Sequence, residues 1–237
     1  MTNNNPTLKR TVIELDTRTG DLAGLPVELL EDLNISKTSR LHKKGQILFY
    51  EDNRSFGLYY LVSGKVKLYK FTPEGKIYIT RIVSAGELLG CQAFFSNEAY
   101  CVSAEVIEDA QVCFIEREAV KEMMAQDPGF SLRLLDKLGQ ELRDAENKAI
   151  DIAYKSVPER MAELLMELKQ NFGKALADGQ IKLDISLSRE ELASMLGTTV
   201  ETTVRTLTRF KQLNLIGSDK KSILLKDVKR LTQLIPA

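Results

Sequence analysis

The hydrophobic rhythm of the chain changes twice, and the changes mark out three kinds of structure. Residues 1–24 are polar (Asn3-Asn4-Asn5-Pro6) apart from a short apolar patch at 12–15, which predicts a flexible tail. A short helix is expected at 26–33, with Pro26 suited to a first turn. From Leu41 to Ile115, short apolar runs of period two alternate with glycine turns. Strands are predicted at 47–50, 58–62, 66–71, 77–83, 102–107 and 112–115, with Ser63-Gly64 and Pro73-Glu74-Gly75 as hairpin turns. Val66 and Leu68 would face inward, and Lys65, Lys67 and Lys70 outward. Strands of this length and spacing build an antiparallel β-barrel or jelly roll.

The period then becomes helical. Asp127-Pro128 supplies an N-cap and first turn. Beyond it Leu135, Leu138, Leu142, Ala145, Ala149 and Ile152 recur at alternating gaps of three and four, ringed by Glu141, Arg143, Asp144, Glu146 and Lys148. This heptad seam, with two alanines that permit close approach, predicts a homodimer interface. Pro158 starts another helix, at 159–171, with Met161, Leu164, Leu165 and Leu168 as its stripe, and 173–180 reads as a polar loop.

Ser188 and Glu191 form a capping box that starts a helix ending at Gly197, and Thr199 can cap a second helix running to about Leu213. Two short helices joined by a glycine turn make a helix-turn-helix. At about 100° per residue, Glu201, Val204, Arg205 and Thr208 share one arc, and Thr203, Thr206, Leu207 and Phe210 lie opposite. The first set suits the DNA major groove: Arg205 can fork onto guanine, Glu201 accept from cytosine, and Val204 touch a thymine methyl. Ser188, Arg189, Thr199, Val200 and Thr202 complete the predicted DNA contacts on these helices. Residues 217–221 then form a hairpin tip that sets Lys220 and Lys221 against phosphates. The fold class is thus α+β: a flexible tail (1–24), a β-barrel (25–126), a dimerisation helix (127–156) and a C-terminal winged helix-turn-helix (157–237).

Composition adds limits rather than a function. The 237 residues are 43% hydrophobic, enough for two cores. No apolar run approaches ~18 residues and no leader pattern follows Met1, so a cytoplasmic protein off the membrane is expected. Net charge is zero, yet residues 157–237 hold 13 Lys/Arg against 10 Asp/Glu, a mild basic bias suited to DNA. Cys91, Cys101 and Cys113 have no metal spacing and read as reduced thiols, so no metal or cofactor is expected. The single histidine, His42, precedes Lys43-Lys44-Gly45 in a surface turn, and no catalytic constellation points to an enzyme.

Over residues 40–235 the order of parts resembles the Crp/Fnr superfamily of bacterial transcription regulators. Ser63-Gly64, Pro73-Glu74-Gly75 and Ala85-Gly86-Glu87-Leu88-Leu89-Gly90 look like its cyclic-nucleotide-type barrel, and the run 196–205 looks like its recognition helix. Val200-Glu201-Thr202 followed by Arg205 is closer to the Fnr branch than to the cAMP-receptor branch, although Val204 replaces the Fnr serine. The resemblance implies a DNA-bound homodimer that contacts RNA polymerase, with an effector pocket around Gly86, Glu87, Leu88, Leu89, Gly90, Cys91, Gln92, Tyr100, Cys101, Ala145 and Glu146. Cys91 stands where cAMP-binding members place a ribose-binding glutamate. Tyr100-Cys101 replaces their phosphate-binding Arg-Ser pair, and Ala145-Glu146 their adenine-reading Thr-Ser pair. Cys113 matches the Fnr cluster cysteine, but residues 1–40 hold no cysteine to join it. The pocket is therefore expected to refuse cAMP and an iron–sulfur cluster, and any small-molecule effector is of unknown type. A second reading is a small-molecule or thiol-redox signalling module whose C-terminal domain mediates protein contacts. DNA affinity that falls steeply with salt separates the two.

Overall fold

The alternating region folds as the expected β-structure with six strands, but two of them, of 15 and 14 residues, each span two predicted strands. A computed structural model describes residues 18–32, 39–219 and 222–236. The order is α1 (Val27–Asp32), β1 (Arg40–His42), β2 (Ile47–Phe49), β3 (Gly57–Phe71), β4 (Ile77–Ser84), β5 (Leu88–Leu89), α2 (Cys91–Ser96), β6 (Ser103–Glu116) and α3 (Arg117–Gln126). The antiparallel sheet runs β1-β6-β3-β4, with β2 also on β6 and β5 on β3. Pro73-Glu74-Gly75 does turn the chain, closed by the Thr72 N–H donating to Lys76 O at 2.7 Å.

Ser63-Gly64 does not. β3 runs straight through it as one strand, with register shifts against β6 between Leu61 and Val66. Gly64 (φ 90°) passes so near β6 that a Cβ would lie 2.5 Å from Ala110 Cα and from Asp109 O, so only glycine fits. β6 likewise fuses the two strands expected at 102–107 and 112–115. Val66 and Leu68 are buried as predicted, but Lys67 is 8% exposed rather than solvated. Its register partner on β6 is Glu105, whose carboxylate lies 3.2 Å from the ammonium, so the burial is compensated by charge. Lys65 is also largely covered and pairs with Glu108. β1, β5, α2 and α3 were not anticipated. His42 ends β1 rather than sitting in a turn, and burial, then Arg40, draw its pKa below the ordinary value.

The tail expectation is corrected for residues 18–24, whereas residues 1–17 lie outside the described part. Leu22 is fully buried, clustered with Leu25, Leu29, Leu58 and Phe130. Beside it Asp21 donates its N–H to Gly86 O (2.8 Å) and accepts from the Leu88 N–H (2.6 Å). Lys137 Nζ stands 2.8 Å from the same carboxylate. The alternation of β3 serves two cores: Leu58 and Tyr60 join the helices, while Leu61, Val66 and Leu68 meet Phe49, Val83, Val106 and Val112.

α4 (Pro128–Tyr154) begins after Asp127, whose carboxylate accepts from Gly129 N–H (2.9 Å) and pairs with Arg133 (3.0 Å). Arg133, then the loss of water's solvation opposing it, set the Asp127 pKa, which lies below the ordinary value. Two compact units divide inside this helix: residues to Lys70 with Thr80–Gln140, and Phe71–Ile79 with Glu141 onward. The second continues through α5 (Val157–Phe172), β7 (Gly173–Ala175), β8 (Ile181–Leu183), α6 (Arg189–Leu196), α7 (Val200–Gln212), β9 (Ile216–Asp219), β10 (Ser222–Leu225) and α8 (Val228–Thr232). The expected polar loop at 173–180 instead opens with β7, the edge of a four-stranded sheet ordered β7-β8-β10-β9. Ser156 and Glu159 form a capping box on α5. Arg160 then ties three carbonyls, at Lys155 (2.6 Å), Leu196 (3.2 Å) and Ile152 (3.4 Å).

Candidate nucleic-acid interface

Local chemistry fixes the helix-turn-helix. Ser188 Oγ accepts from Glu191 N–H (3.1 Å) while the Glu191 carboxylate accepts from Ser188 N–H (2.9 Å), so α6 starts where the capping box predicts. It ends at Gly197 in the left-handed region (φ 61°, ψ 44°). A Cβ there meets nothing nearer than 3.7 Å, so the glycine is needed for its backbone and not for space. Gly197→Ala should therefore cost only about 1 kcal/mol, read as a shifted urea midpoint at unchanged slope. Thr199 Oγ1 accepts from Thr202 N–H (3.2 Å) to cap α7.

The two faces of α7 separate as the angular argument requires. Thr203, Thr206, Leu207 and Phe210 are buried, with the Thr203 and Thr206 hydroxyls donating to Thr199 O (3.0 Å) and Thr202 O (2.8 Å). Opposite them Glu201, Arg205 and Thr208 are exposed, with Val200 at 38% and Val204 at 44%. Among the described residues Glu201 and Arg205 form no ion pair, with each other or elsewhere. The Arg205 guanidinium makes one long hydrogen bond, to Thr202 Oγ1 (3.4 Å), which leaves most of its donors facing outward. Ser188 and Thr199 are exposed, and Arg189 and Thr202 half-buried. Lys220 and Lys221 lie outside the described residues, although β9 and β10 pair as the hairpin that leads to them.

Two residues of these helices fall outside the predicted set. The first is Arg209, exposed on α7 one turn beyond Arg205 and at the edge of the same face, where angular placement carried on from Arg205 finds it. The second is Ser194 on α6, whose hydroxyl donates to Ile77 O (2.7 Å) and accepts from Ile79 N–H (2.8 Å) within the second unit. No sequence signal announces that contact.

The predicted pocket residues divide between the two units. Gly86 to Gln92 and Tyr100-Cys101 come together in the first unit: a Cβ on Gly90 would be 3.1 Å from the Tyr100 ring, and Cys101 Sγ donates to Gln92 Oε1 at 2.8 Å. Leu88, Leu89, Cys91 and Tyr100 are buried. Glu87 accepts from Ser84 N–H (2.7 Å) and lies near Arg81 (3.4 Å) and Lys137 (3.5 Å). Ala145 and Glu146 belong to the second unit, exposed on α4. Cys113 is fully buried, and burial raises its pKa. On α4 only Phe130 and Leu134 are buried. Of the seam, Leu135, Leu142, Ala145, Ala149 and Ile152 are exposed, and Leu138 packs partly on its own core.

Comparison with known proteins matches residues 39–127 to the family described as cyclic nucleotide-binding domain, and residues 159–234 to the Crp-like helix-turn-helix domain. The transcriptional activator protein Anr of Pseudomonas protegens is 32% identical over 216 residues, covering 89% of this chain and 87% of that protein. The chain belongs to the Crp/Fnr family of transcription regulators. A second relative in this family, the CRP-like cAMP-activated global transcriptional regulator of Mycobacterium tuberculosis, is 30% identical over 190 residues, 80% of this chain and 84% of that one. Among solved structures, FixK2 from Bradyrhizobium japonicum superposes with a TM-score of 0.73 at 26% identity, over 84% of this chain and 98% of that one. The α+β class holds with these Crp/Fnr relatives. Among the described residues no helix is long and apolar enough to cross a membrane, and no cluster of three metal-ligating side chains occurs.

Proposed function

We propose that this Crp/Fnr regulator is a cytoplasmic, homodimeric, sequence-specific DNA-binding protein whose sensor pocket takes neither cAMP nor an iron–sulfur cluster. The carrying observation is the exposed face of α7, where Glu201, Val204 and Arg205 stand together and the arginine donors are not consumed by a neighbouring carboxylate. A surface helix stabilised by its own i, i+4 pair would have joined them. Ser188, Arg189, Thr199, Val200, Thr202 and Thr208 position the helix on the duplex, and Lys220 and Lys221 meet phosphate. The barrel, dimer helix and winged domain divide at residues 126 and 156 in this functional sense.

The pocket reading rests on what stands at the positions where relatives hold a cyclic phosphate. A cyclic phosphate asks for a cation or convergent donors. Here Cys91 and Tyr100 are buried in apolar clusters, and the Glu87 carboxylate already has three partners. For a cluster, Cys113 would need further thiolates, and the chain's other cysteines are Cys91 and Cys101. Contact with RNA polymerase follows from the regulator role, and no catalytic step is assigned.

Selection of bound DNA from a random pool, run with and without cAMP and with and without small metabolites, tests this reading. Enrichment of a two-fold symmetric site, unchanged by cAMP, is the expected result. Failure to enrich any sequence, or enrichment only with cAMP, would overturn it.

A further inference from the structure

We infer that the first unit carries a binding site for a small planar aromatic anion, separate from the DNA-reading helices and independent of the function proposed for them. The site is a cleft of about 300 Å³ between β2, the residue 50–56 segment, β3 and β6. That volume is at the low end of the ~300–1,000 Å³ typical of ligand pockets, so the occupant is about one ring in size.

Four rings line it. Phe49 and Tyr100 stack at 4.0 Å with planes 20° apart, Tyr59 lies 5.4 Å from Phe49, and Phe114 lies 4.9 Å from Tyr59. Such a surface favours a flat aromatic guest by offset and edge contacts. Phe56, 65% exposed, stands at the mouth with the Arg54 guanidinium 5.7 Å from its ring centroid. An exposed phenylalanine beside an arginine offers both an apolar wall and a fork for carboxylate oxygens.

Charge decides between an anion and a cation. Among the described residues Arg54 has no ion pair and no side-chain hydrogen bond. Asp52 and Glu98 line a neighbouring polar cleft of about 230 Å³ that Arg54 also borders, yet neither pairs with it. Inside the ring-lined cleft the ionisable groups besides Arg54 are the Tyr59 and Tyr100 phenols. Burial raises both pKa values, so they stay neutral near pH 7 and do not repel an anion. Tyr100 is the one lining residue shared with the predicted sensor pocket. The others belong to none of its segments.

The test uses the full-length protein and 4-fluorobenzoate, followed by fluorine NMR line broadening. Saturable binding is expected, with 4-fluorobenzyl alcohol, the uncharged analogue, and cyclohexanecarboxylate, the non-planar one, each at least about tenfold weaker competitors. Arg54→Gln should weaken 4-fluorobenzoate about tenfold or more. Phe56→Ala, a change at an exposed side chain, should weaken it several-fold while leaving the far-UV spectrum unchanged. Non-saturable broadening, equal binding by Arg54→Gln, or tighter binding of 4-fluorobenzylammonium would each overturn the assignment.

Discussion

Replacing Arg205 by alanine is expected to weaken operator binding by roughly 30-fold to 10⁴-fold. A bidentate arginine–guanine contact contributes about 1–3 kcal/mol of discrimination. A two-fold site uses it twice, so the loss is about 2–6 kcal/mol, and each ~1.4 kcal/mol is tenfold. Because α7 is capped by Thr199 and packed through Thr203, Thr206, Leu207 and Phe210, removing an exposed side chain leaves the helix in place. The mutant should therefore fold normally and bind non-specific DNA almost as well as before. Its selected site should lose preference at one base pair in each half. The wing lysines supply the contrast: Lys220→Ala or Lys221→Ala should reduce the slope of log affinity against log salt by about one per phosphate contact, with preference unchanged. A selection logo identical for Arg205→Ala and the parent chain would remove Arg205 from the reading face.

Leu142→Glu is expected to turn the proposed dimer into a monomer. Leu142 is 61% exposed at the middle of α4, with Leu135 and Ile152 bare before and after it. In a two-fold helix pair each seam residue meets its own counterpart. The substitution thus removes two leucines, about 1.5–3 kcal/mol of burial each, and confronts two carboxylates in an apolar seam. Together these weaken self-association by roughly 10³-fold or more. Light scattering across a dilution series reads the mass directly, and DNA affinity should fall with it because one half-site then binds alone. Leu142→Ala, milder and without charge, should shift the dimer dissociation constant in the same direction. A dimer unchanged in both would place the interface elsewhere and leave the stripe on α4 without a role.

The elements legible in the sequence were those whose causes are local. Ser188 and Glu191 are three residues apart, and Gly197 needs only its own backbone angles, so the boundaries of α6 follow from ten residues. The exposed face of α7 follows from helix geometry. Long-range causes stayed hidden. Gly64 looks like a turn residue until Ala110, on a strand far along the chain, takes up the space its missing Cβ leaves. Lys67 looks solvated until Glu105 faces it across the ladder. The same holds for Asp21 and Leu22, polar and apolar residues in an unpatterned segment that find Gly86, Leu88 and a core only after folding. At the candidate site the residues could be named from the sequence. That Glu201 leaves Arg205 unpaired could not, since the same spacing permits an ion pair.

The β3–β6 ladder also bears on the order in which the protein assembles. It pairs residues as remote as Gly57 and Glu116 in antiparallel register. Such a contact must close a long loop before any of its hydrogen bonds form, and chains rich in distant pairings reach the native state more slowly. The capped helices α5, α6 and α7 draw on neighbours in sequence and carry no such delay. During refolding the C-terminal amides should gain protection from hydrogen exchange first, with those of β3 and β6 following together. The barrel would then set the time at which a newly made chain becomes complete.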